Sequence, residues 1–179
     1  MSTWISETEF RQSGAEAAGI TINVPFLQEI KTDYGFRELL NNVYHEIIHA
    51  GGDRTIRFAA NSGNFAQQVA ERLSDLRDEM ETYFALEEFY GYFQHSALKN
   101  PNVSQNASSL QQDHETLYLQ LSEIIEATWQ VVYRESSPQV QFQQIAESFD
   151  RFCCALAHHE QAEMDLMMRL CNEDFGVGD

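Results

Sequence analysis

Leu156-Ala157-His158-His159-Glu160-Gln161-Ala162-Glu163-Met164-Asp165-Leu166 lies near the end of a chain of 179 residues and carries an internal conflict. His159 and Glu163 are four apart, so on a helix they stack on one face, one turn above the other. Phe149, Phe152, Leu156, Leu166 and Leu170 extend that face in both directions. An imidazole and a carboxylate inside an apolar stripe are costly unless each finds a partner. A buried His–Glu hydrogen bond is one solution. A metal ion held inside a helix bundle is the other, and it requires matching groups on other helices.

Working back from this stretch, three more helical patterns emerge. Residues 1–24 are polar and small and read as an N-terminal extension. Pro25 suits a helix first turn, and Phe36, Leu40, Val43 and Ile47 then recur at helical spacing until Gly51-Gly52-Asp53. Residues 51–63 read as a connector, with Ser62-Gly63-Asn64 as the start signal of a second helix. That helix carries Val69, Leu73, Leu76, Met80, Phe84 and Glu87 on one face and ends near His95. Asn100-Pro101-Asn102 is turn chemistry, and Ser108 or Ser109 is the expected cap of a third helix bearing Leu110, His114, Leu117, Leu121, Ile124 and Thr128. Ser137-Pro138 opens a fourth helix that runs to about Cys171. No strand-like alternation follows residue 24. The expected fold is all-α, an antiparallel up-down-up-down four-helix bundle over residues 25–173, with the extension 1–24 and a tail, 174–179.

Composition narrows the function classes. Hydrophobic residues make up 43% of the chain, which suits a globular core. The formal charge of −17 argues against nucleic acid and anionic membrane surfaces as partners, since both are polyanions. No apolar run approaches the roughly 18 residues that cross a bilayer, and the first residues lack the pattern of a signal peptide. Cys153, Cys154 and Cys171 have no CxxC spacing, so they read as core filler in a reducing, cytoplasmic compartment. Met164, Met167 and Met168 are also expected in the core.

Counting from the connectors tests whether polar groups meet. His159 lies 21 residues after Pro138 and His114 lies 24 before it, so both stand roughly 30 Å or more along the axis from that connector. Glu87 lies 24 after Gly63, and Asp33 lies 18 before Gly51, near the same end. Asp33 precedes Phe36, Leu40 and Val43 at the offsets at which His114 precedes Leu117, Leu121 and Ile124, which favours it over Tyr34 as the first-helix member. Tyr83 and Glu87 repeat the spacing of His159 and Glu163. Tyr83 reads either as core filler or as a phenolate ligand. His45 and His49 belong to the opposite end, roughly 16 Å or more from Asp33. The candidate metal ligands are Asp33, Tyr83, Glu87, His114, His159 and Glu163.

The His-x-x-x-Glu of 159–163, the Asp113-His114-Glu115-Thr116-Leu117 run and the Glu87-Glu88 pair resemble the hemerythrin-like, HHE cation-binding proteins. The resemblance implies a bundle holding two irons through one histidine per helix and bridging carboxylates. His114, His159, Glu163 and Glu87 match that pattern, whereas Tyr83 and Asp33 stand where histidines are expected. The altered set is harder and more anionic, and suits Fe, Mn or Zn. Three functions compete: an iron protein for oxygen or redox sensing, storage or scavenging; a di-metal oxidase; and a metal-free interaction module. Metal ions, and O2 for the first two, are the expected partners.

Overall fold

The computed structural model describes residues 34–52, 58–90, 101–133 and 138–175. Among them there are four helices and no strand: α1 (Tyr34–Gly52), α2 (Phe58–Tyr90), α3 (Pro101–Tyr133) and α4 (Pro138–Phe175). Each helix buries one stripe spaced by three or four residues. Phe36, Val43 and Ile47 come from α1, and Leu73, Leu76, Met80 and Phe84 from α2. Leu117, Leu121 and Ile124 come from α3, and Phe142, Phe149, Phe152 and Leu156 from α4. The stripes form one continuous core. Helices adjacent in sequence pack side by side, α4 also packs on α1, and α2 meets α4 only slightly. That ring of contacts is a bundle.

Polar contacts tie α1 to its neighbours. Arg37 donates to Glu160 at 3.1 Å and the Tyr44 hydroxyl to Asp150 at 3.1 Å. Arg72 pairs with Glu46 at 3.0 Å. These exposed contacts add little stability each but fix which residues stand at the same level. No described helix is long and apolar enough to cross a membrane.

Several expected boundaries shift. α2 starts at Phe58, ahead of the Ser62-Gly63-Asn64 signal, and ends at Tyr90. α3 starts at Pro101, so Ser108 and Ser109 are exposed helical residues and not caps. Proline fits a first helical position because its missing N–H has no intrahelical acceptor there. α4 continues to Phe175. Met164 and Met168 are 40% and 57% exposed, and Cys154 is also exposed, against the expectation of burial. Met164 and Met168 share a face one residue step, about 100°, round from the inward face of Glu163. The extension 1–24, Asp33 and His95 lie outside the described residues.

Gly63 sits within α2, exposed, and an added Cβ there meets no atom within 4 Å. Alanine at such a site favours the helix and restricts the unfolded chain. Gly63→Ala should raise the unfolding free energy by about 0.5–1 kcal/mol in urea titration. A loss of stability would show that the helix is interrupted at residue 63.

Candidate metal centre

Four ionisable side chains turn inward at one level: Glu87 from α2, His114 from α3, and His159 and Glu163 from α4. Glu87 and Glu163 are 0% exposed, and both histidines 4%. The i, i+4 spacing places His159 and Glu163 on one face, with His159 Nε2 3.4 Å from Glu163 Oε1. Across the core, His114 Nε2 lies 3.0 Å from His159 Nε2, 3.6 Å from Glu87 Oε2 and 3.7 Å from Glu163 Oε1. One donor atom from each residue fits within 4.8 Å of all the others.

Charge is what makes this cluster unusual. If both were ionised, the two buried carboxylates would carry −2, and taking such charges out of water costs several kcal/mol apiece unless positive charge accompanies them. In the metal-free protein, His114 is the group inclined to supply part of it, by holding a proton. Burial alone opposes that proton, but contact with Glu163, the bond to Glu88 and the charges of Glu87 and Glu163 together outweigh it and raise the His114 pKa above 6.5. A divalent cation cancels the charge outright.

The geometry fits such an ion. Four donors about 2.1 Å from a common centre in a tetrahedral array stand about 3.4 Å apart. Four of the six donor pairs, at 3.0, 3.4, 3.6 and 3.7 Å, scatter about that value, and one donor atom from each residue lies within 4.8 Å of all the others. Mixed imidazole and carboxylate donors suit Fe, Mn or Zn, and the absence of a thiolate among the four removes the soft-metal alternatives. Calcium, which takes six to eight oxygen donors, suits this set poorly.

Aromatic rings set the planes of the ligands. Phe84 stacks on His114 with centroids 4.0 Å apart and 6° between planes, and meets the edge of His159 at 5.7 Å. The outer nitrogen of His114, Nδ1, lies 3.0 Å from Glu88 Oε1. The outer nitrogen of His159 faces Asp113 Oδ2 at 3.8 Å. A carboxylate behind each imidazole is the usual way a protein orients histidines on a metal.

The structure thus brings together four of the six residues named from the sequence. Tyr83 is buried beside them and stacks on Phe36 at 5.3 Å. Its hydroxyl makes no hydrogen bond of good geometry. Burial, then the nearby Glu87 and Glu163 carboxylates, push its pKa far above the usual value of 10.0 and keep the phenol protonated. Asp33 lies outside the described residues. His45 and His158 are exposed. Glu88 and Asp113 were not among the expected site residues. Their only signal is adjacency to Glu87 and His114, which many exposed acids share. The chain matches no family model, no curated protein and no solved structure.

The sign of the pH dependence follows from His114. A pKa raised on folding means that the folded state holds the proton more tightly. The stabilisation is complete below the unfolded value of about 6.5 and is lost as pH rises through the folded value. In chelator-treated protein, urea stability should therefore fall from pH 6.5 to pH 8, and His114→Gln should flatten the slope. An equal slope in wild type and variant would remove His114 as its origin.

Proposed function

We propose that this protein is a hemerythrin-like metal-binding bundle, with iron as the foremost candidate and Mn or Zn compatible. The observation that carries the proposal is the pair of fully buried carboxylates, Glu87 and Glu163, beside two inward imidazole nitrogens. The level pairings support an antiparallel up-down arrangement: Arg37 meets Glu160 while Tyr44 meets Asp150, and Phe36 meets Tyr83 while Glu46 meets Arg72.

One ion is the nuclearity this ligand set favours. His114 and His159 aim Nε2 atoms at a common point only 3.0 Å apart, and sharing two imidazoles on one centre leaves neither for a second. Tyr83 is then a neighbour of Glu87 rather than a required donor. Such an ion, when bound, supplies redox or Lewis-acid chemistry. The protein holds it by two imidazoles and two carboxylates, and the Phe84 stack on His114 helps to keep water from the site. Sensing, storage or scavenging tied to oxygen or redox state is the role proposed for it, in a reducing compartment.

Anaerobic loading with Fe(II), desalting and elemental analysis should return about one iron per chain. His159→Ala and Glu163→Ala should each reduce this to background. Absence of iron, manganese and zinc from loaded wild type, or unchanged stoichiometry in both variants, would refute the proposal. After oxidation, no visible phenolate-to-iron band should be lost in Tyr83→Phe; a lost band would instead make Tyr83 a ligand.

A further inference from the structure

Between α3 and α4, away from the metal ligands, runs a groove of about 560 Å3. That volume is within the roughly 300–1,000 Å3 of small-molecule sites. Ile124, Ile145 and Phe152, all buried residues of the core, form its apolar floor. Four glutamine amides also line it, and each offers both donors and an acceptor. The lining holds one base, Arg151, and one acid, Glu123. The groove is therefore neutral in a chain of formal charge −17, and it has no field of one sign that would gather cations or anions alone.

Arg151 and Glu123 stand level but unpaired. His114 and His159 touch across the core at 3.0 Å. Counted from them, Glu123 is nine residues further along α3 and Arg151 eight residues back along α4. Both therefore stand at about the same height, roughly 12–14 Å from the centre along the axis. Both are exposed, and no ion pair joins them. Arg37, Arg72 and Arg77, by contrast, each hold a carboxylate at 3.0–3.1 Å. Among the described residues, the Arg151 side chain bonds only to Ser148 Oγ, at 3.0 Å, and the Glu123 side chain to none.

We infer that this groove binds a free α-amino acid with an apolar side chain. The ligand carboxylate pairs with the Arg151 guanidinium, the ammonium with Glu123, and the side chain lies on Ile124 and Phe152. Opposite charges at one height call for a ligand that carries both on neighbouring atoms. An α-amino acid does so, whereas a peptide holds its termini apart. The planar N–H fork of arginine matches the two oxygens of a carboxylate. Without a ligand, water alone solvates Glu123. With one, both charges are paired beside an apolar surface, where such bonds are stronger than in open water. The site shares no residue with the four metal ligands and stands independently of the metal reading.

The test is calorimetric titration of the full-length protein with L-phenylalanine. Three probes are run beside it: phenethylamine, which lacks the carboxylate, N-acetyl-L-phenylalanine, which lacks the ammonium, and glycine, which lacks the side chain. Phenylalanine should bind saturably, and each of the other three about 10-fold or more weakly. Arg151→Gln and Glu123→Gln should each weaken phenylalanine by about 10-fold. The first should also erase its advantage over phenethylamine, and the second its advantage over N-acetyl-L-phenylalanine. Both side chains are exposed, so both variants should keep the wild-type melting temperature. No saturable binding of phenylalanine, leucine or tryptophan to wild type would overturn the inference. So would glycine binding as tightly as phenylalanine, or a phenylalanine affinity unchanged within about twofold in either variant. Metal content decides the metal reading separately, since the titration is read with or without a bound ion.

Discussion

Two carboxylates without water are the constraint on which this structure turns. Glu87 and Glu163 are fully enclosed, and as ionised groups they are tolerable there only with positive charge beside them. Three nearby features answer that demand. His114 is inclined to hold a proton, His159 presents a second imidazole, and the phenol of Tyr83 stays neutral so that no further negative charge is added. A hydrocarbon core of the same volume is often as stable or more so, so stability alone does not account for the polar cluster.

The rest of the core makes that cluster rigid. Phe84 stacks on His114, Phe36 stacks on Tyr83, and Phe149 stacks on Phe152 further along α4. Packed rings restrict the rotation of the imidazole planes, so the two Nε2 atoms stay convergent. Small errors in ligand placement are expensive for a metal site, and aromatic packing limits them without adding charge. The outer carboxylates complete the orientation at the helix surface.

Legibility in the sequence followed periodicity. His159 and Glu163 were plain because a polar pair interrupts an otherwise apolar stripe. His114 and Glu87 needed a second step, counting residues from the connectors, and that counting survived although α2 and α3 begin earlier than their cap signals suggest. It survived because the hydrophobic stripes fix the phase of each helix whatever its first residue. Glu88 and Asp113 stayed hidden for the opposite reason. They sit at the boundary between core and solvent, where a chain of charge −17 offers many similar acids and periodicity does not distinguish among them. Met164 and Met168 misled because hydrophobicity alone does not place a residue inward; their helical phase does.

The four groups at the centre come from α2, α3 and α4, and α1 supplies none among its described residues. An ion bound there is a cross-link between chain positions as far apart as Glu87 and Glu163. It closes two long loops and ties three helices into one cooperative unit. The helix left outside that staple, α1, is the shortest of the four as described, at 19 residues. Such an ion would divide the described helices into a part whose opening releases it and a part that can open while it stays bound. Amide exchange would see the boundary between them as a step in protection, present with metal and blurred without it.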